Sequence, residues 1–137
     1  MLPHSARSVV ESNTLAHVVT LDPDGSPYVT LAWAGIDGDE VVLATLVEQR
    51  KLRNLRRDRR IALSFETNVT NQHGLREYLV IYGTARVSEG GAPELLQELA
   101  RTYLGPDVQF PPMPEPPAGY VTHVTVDRFG GVGPWRA

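Results

Sequence analysis

The residues with the most chemical potential lie in one short run, EQRKLRNLRRDRR (48–60). It holds seven of the chain's 13 Lys and Arg residues: Arg50, Lys51, Arg53, Arg56, Arg57, Arg59 and Arg60. Lys51 is the only lysine, and the rest of the chain carries six bases against fourteen acids. Leu52 and Leu55 sit one turn apart, which predicts a helix of two to three turns starting near Glu48, after a strand ending at Thr45. Arg50 and Lys51 then fall in its first turn, where unpaired N–H groups already present partial positive charge. Cations there oppose the helix dipole, and a bound anion such as phosphate would complete the site. Arg56, Arg57, Arg59 and Arg60 lie at the other end, where they suit the dipole and need no ligand.

Other chemistry is sparse. There are no cysteines, which removes thiol nucleophiles, disulfides and cysteine-ligated metals. The histidines at 17, 73, 123 and 4 form no pair at ligand spacing, so no metal site is expected. His17 and His123 alternate with apolar residues and read as structural or rim histidines. Neither GxSxG nor an acid/base carboxylate pair occurs, Glu66 and Glu77 being isolated, so no catalytic residue is named. GGVGPW near the C-terminus lacks the Lys-Ser/Thr and the following helix of a phosphate loop, and reads as a turn packing Trp135 onto the protein.

The elements that position the basic run follow from periodicity. Residues 5–13 read as a short amphipathic helix, and 15–21, 27–36 and 40–46 as strands. The turns DPDG (22–25) and DGDE (37–40) join those strands. Strands at 61–68 and 76–89 follow, the second bending at Gly83. A helix at 93–104 has Pro93 in its first turn, and a strand at 119–129 closes the series. Six prolines between 106 and 117 preclude regular structure there and predict an extended surface loop. The expected architecture is mainly β: one domain over 1–137, a six-stranded antiparallel β-barrel flanked by helices. No apolar run is long enough to span a membrane, and no signal sequence is evident. With the missing cysteines, this predicts a cytoplasmic protein. A net charge of −3 and a basic run without aromatics argue against nucleic-acid binding.

The order of motifs, LAHVVTLDPDGSPYVTLAW, then VVLAT, then RKLRNLRRDRRIALS, resembles the pyridoxamine 5'-phosphate oxidase-like, FMN-binding split β-barrels. Within them it is most similar to the branch that uses the deazaflavin coenzyme F420. The resemblance covers residues 12–90 by motif and the remainder by element order. It implies a homodimer binding its cofactor in a cleft shared by the subunits. It also implies that Thr45, Arg50 and Lys51 hold the cofactor phosphate, with help from Asn54. The ring would lie against Pro27 to Trp33, largely through backbone groups. Gln49 departs from the small residue common in the family, and Thr30, Leu31 and Ala32 replace its frequent second proline. Arg53 and Arg57 are candidates for the acidic tail of F420, whereas FMN ends at its phosphate.

The resemblance implies an F420-dependent oxidoreductase passing hydride to a conjugated small molecule such as a quinone, enone or tetrapyrrole, in a pocket lined by the proline-rich loop 106–118, the tail and the partner subunit. FMN is the alternative cofactor, and a non-catalytic flavin-, F420- or heme-binding protein the alternative role. An enzyme of this kind carries few acid/base residues, because the cofactor supplies the chemistry.

Overall fold

A computed structural model describes residues 1–136. The elements run α1 (His4–Val10), β1 (Ala16–Leu21), β2 (Pro27–Ala32), β3 (Gly35–Asp37), β4 (Glu40–Thr45), α2 (Arg50–Arg57), β5 (Arg60–Thr70), β6 (Arg76–Glu89), α3 (Ala92–Tyr103) and β7 (Tyr120–Val132). Seven strands form one sheet in the order β2-β1-β5-β6-β7-β4-β3, with every neighbouring pair antiparallel. The expected count of six is corrected because the run 27–36 breaks into two strands at Trp33 and Ala34. No ladder joins β2 to β3 among the described residues, so the sheet is not closed into a barrel by hydrogen bonds.

The turns are set by their own residues. In DPDG, the Asp22 N–H donates to the Ser26 carbonyl at 2.9 Å, and Gly25 takes φ +86°, a conformation other residues resist. In the β5–β6 turn, the Asn71 carboxamide oxygen accepts from the N–H groups of His73 and Leu75 at 2.9 and 3.0 Å. β6 shifts register against β7 between Tyr82 and Gly83, where the bend was expected. A Cβ on Gly83 would stand 2.5 Å from the Thr125 carbonyl oxygen and 2.6 Å from Val124, so only glycine fits there.

Alternation along β1 and β5 turns Ala16, Val18, Ile61, Leu63 and Phe65 inward. They meet Leu79 and Ile81 of β6, Val41 and Leu43 of β4, Val124 of β7, and Ala6 and Val10 of α1. α2 adds Leu55 to this core, with Leu52 buried beside it. The C-terminal GGV, expected in a turn, continues β7: Gly131 pairs with Leu79 and Val132 with Tyr78. Trp135 packs into the core as expected, 6% exposed, its indole N–H donating to the Gly130 carbonyl at 2.8 Å. Residues 106–117 carry neither helix nor strand.

Candidate functional site

The run 48–60 forms α2 from Arg50, so Arg50 and Lys51 do occupy its first turn. Gln49 is the N-cap, in extended conformation and without a side-chain capping bond, leaving the helix end uncapped. Helical periodicity puts Lys51 on the same face as Leu52, Asn54 and Leu55, which points the only lysine inward. Its side chain makes no hydrogen bond or ion pair among the described residues, and the residue is 6% exposed. Burial pushes the ammonium pKa down.

Arg50 has a different environment. Its guanidinium donates Nε to Asp22 Oδ1 at 3.0 Å and Nη2 to Asp22 Oδ2 at 2.5 Å, and stacks 4.3 Å above the Tyr28 ring. Arg50, followed by Asn54, holds the Asp22 carboxyl below its ordinary pKa. The cation at the helix start thus has an in-chain reason that the linear sequence conceals. Asn54 ties the same corner together: its buried amide donates to Thr20 Oγ1 at 3.1 Å and to Asp22 Oδ1 at 3.0 Å.

The later arginines are engaged as well. Arg56 pairs with Glu48 at 2.6 Å and Arg60 with Asp58 at 2.7 Å, while Arg59 donates to the Ala85 carbonyl at 3.1 Å. Arg57 donates to the Leu21 carbonyl and, at 3.0 Å, to Asn54 Oδ1. Arg53 is exposed and is the one arginine of the run without such a partner among the described residues.

Lys51 opens into a cleft of about 440 Å³. Leu31, Ala32, Trp33, Thr45 and Gln49 line it with Lys51, so six of the predicted positions converge there. Pro27, Thr30, Arg50, Arg53 and Asn54 lie outside its lining. Thr45 closes β4, and its buried hydroxyl has no hydrogen-bond partner among the described residues. An unpartnered ammonium and an unpartnered hydroxyl in one cleft match what an anionic oxygen requires. The residues present therefore fit a phosphate-bearing group.

The far wall includes the proline-rich loop, which was expected at the pocket, through Phe110, and no residue of the C-terminal tail. Trp33 stacks on Tyr103 of α3, with centroids 5.2 Å apart and planes 12° apart, and meets Phe110 at 5.1 Å. The Tyr103 hydroxyl accepts from the Ala34 N–H at 3.0 Å and donates to the Thr14 carbonyl at 2.8 Å, fixing the chain where β2 ends. Phe110 belongs to the proline-rich loop, anchored by its own N–H to Gln97 Oε1 at 2.9 Å. A second cleft, of about 460 Å³, shares Leu15 and Leu31 with the first and is polar, carrying His17, Glu66, Asn68 and Arg76.

The family model for pyridoxamine 5'-phosphate oxidase matches residues 2–132. No curated protein matches the chain. Among solved structures, one named F420 reductase aligns at TM-score 0.72 and 23% identity, covering 94% of this chain and 98% of that one. A conserved hypothetical protein from Mycobacterium tuberculosis aligns at 0.73 and 22%, covering 96% and 84%. A heme binding protein from Mycobacterium smegmatis aligns at 0.64 and 22%, covering 96% of this chain and 54% of that one. At these identities the structures speak to the fold, while the family match spans nearly the whole sequence. The chain belongs to the pyridoxamine 5'-phosphate oxidase family.

Proposed function

We propose that this protein is an oxidoreductase that binds a phosphate-bearing flavin-type cofactor, coenzyme F420 foremost, and reduces or oxidises a conjugated small molecule. The observation that carries the reading is the Lys51–Thr45 pair: the ammonium of a lysine only 6% exposed and a buried hydroxyl line one cleft without partners among the described residues. Lys51 would hold the phosphate by charge and Thr45 by its hydroxyl, with Gln49 and the uncapped α2 N-terminus beside them. Leu31, Ala32 and Trp33 would give the ring an apolar bed, and the Trp33–Tyr103–Phe110 stack would keep water from that side. When bound, such a cofactor supplies hydride transfer from its own ring, so the chain's task is orientation. We assign the acceptor, of quinone, enone or tetrapyrrole type, to the adjoining polar cleft across Leu31.

FMN is the second reading. With Arg57 committed to Leu21 and Asn54, Arg53 alone stays available for an acidic cofactor tail. The likeness to a structure named F420 reductase supports the deazaflavin.

A homodimer belongs to the same proposal. The outer face of β2, β1, β5 and β6 exposes Val29 (57%), Leu31 (54%), Tyr78 (43%) and Tyr82 (39%), an apolar surface that a second copy would cover. Separate fluorescence titrations with oxidised F420 and with FMN test the cofactor assignment. Oxidation of the reduced cofactor by a quinone panel then tests turnover. Tight binding with no turnover on any acceptor would favour a carrier role, and binding of neither cofactor would refute the proposal.

A further inference from the structure

The cleft on the opposite flank of α3, about 550 Å³, shares no lining residue with the cofactor cleft and holds a cluster that the proposed function leaves unused. Ser88 of β6 and His123 of β7 both line it, and Ser88 Oγ lies 3.1 Å from His123 Nε2. The other ring nitrogen, Nδ1, is buried without a hydrogen bond among the described residues, and Glu40 Oε1 of β4 lies 3.6 Å from it. The three residues stand on neighbouring strands whose register places His123 opposite both Arg86 and Val42, and Ser88 opposite Val121. Alternation then puts Glu40, His123 and Ser88 on one face, in the order acid, imidazole, hydroxyl.

We propose that Ser88, His123 and Glu40 form a nucleophilic site that hydrolyses small acyl esters, independently of the cofactor site. With the His123 proton on Nδ1, toward Glu40, Nε2 is the acceptor for the Ser88 hydroxyl proton. The Ser88 oxygen bonds to the ester carbonyl carbon as His123 takes that proton. The bond to the alcohol oxygen breaks, and His123 returns the proton to the departing alcohol. A water then attacks the acyl carbon as His123 accepts its proton, the bond to Ser88 Oγ breaks, and His123 returns the proton to that oxygen, releasing the acid and restoring Ser88. His123 Nδ1 to Glu40 is long for a hydrogen bond, and catalytic contacts of this kind close when substrate binds.

The cleft also indicates which esters fit. Ile36, Val42, Leu95 and Val121 supply an apolar floor for a short acyl chain. Gly90 and Gly91 line the same wall without side chains, leaving Ser88 open to approach. Asp37, Glu94 and Glu98 add carboxylates, and Arg86, the nearby cation, is held by Glu40 at 3.0 Å. Esters with a neutral or cationic alcohol are therefore favoured over those bearing a carboxylate.

The test uses the intact protein. A fluorophosphonate probe is expected to attach at Ser88, mapped by peptide mass spectrometry, so this arm needs no variant. Hydrolysis of p-nitrophenyl butyrate is expected to fall by about 100-fold or more in Ser88→Ala and in His123→Gln. The succinate half-ester is expected to react about tenfold more slowly than the butyrate. Attachment of the probe to another residue, or hydrolysis unchanged in Ser88→Ala, would overturn the proposal.

Discussion

A lysine largely buried where a β-strand gives way to α2, with no ion-pair partner among the described residues, destabilises a fold in the absence of an anion. Two outcomes at Lys51 follow. First, Lys51→Met should raise the melting temperature of the cofactor-free protein by a few degrees at pH 7, while abolishing any stabilisation by added phosphate. The pH dependence has a definite sign. Burial lowers the folded pKa below the ordinary 10.5, so between the two values the unfolded chain binds more protons. Stability of the native protein should therefore rise with pH through that window, and the rise should be absent in Lys51→Met. Asp58 gives the same sign in an acid window: Arg60 holds its carboxyl at about 2, so its contribution is lost as pH falls from 3.8 toward 2, which an acid titration of Asp58→Asn would show by its absence. Lys51 was legible in the sequence because its position depends only on a strand end and a helix start. The Arg50–Asp22 pair was not, since its partners lie 28 residues apart and meet only once the β1–β2 turn folds back.

At the scale of elements, α2 is placed by Asn54 as much as by its leucines. Asn54→Ala removes bonds to Thr20 and Asp22 in a buried corner and should cost about 1–3 kcal/mol in urea unfolding. Its effect on cofactor affinity should appear only through the tilt of α2, so it should be smaller than that of Lys51→Ala. Gly119 controls the other side of the same site. At φ +64°, a Cβ there would collide with the Thr45 carbonyl and stand 2.6 Å from Ala92. Gly119→Ala should therefore cost about 1–3 kcal/mol and displace the end of β4 that carries Thr45. The hairpins could be read from Asp22–Gly25 and Asp37–Glu40 because turn chemistry is local. The break that separates β2 from β3 could not, because Tyr103, about seventy residues away, holds Ala34 and stacks on Trp33. The proline-rich loop was expected at the pocket, but Phe110 as its contact with Trp33 was not, because an irregular segment does not declare which of its residues docks.

For the molecule as a whole, the exposed Val29, Leu31, Tyr78 and Tyr82 predict self-association through one sheet face. Sedimentation should give twice the mass of the 15.1 kDa chain, and Val29→Glu combined with Tyr82→Glu should return it to one chain. Leu31 lines both the cofactor cleft and the polar cleft beside it, so association and cofactor binding should be linked. The mainly β architecture was readable from alternation, but the seven-strand order was not, since pairing of β4 with β7 is set by tertiary packing. The central claim is that Lys51 exists to hold the phosphate of a flavin-type cofactor. Its most direct test is fluorescence titration of the native protein and of Lys51→Ala with oxidised F420 and with FMN. Saturable binding of at least one of them is expected, weakened about 10- to 100-fold by the substitution, the loss of a charge-assisted bond. Equal affinity in the two proteins would contradict it.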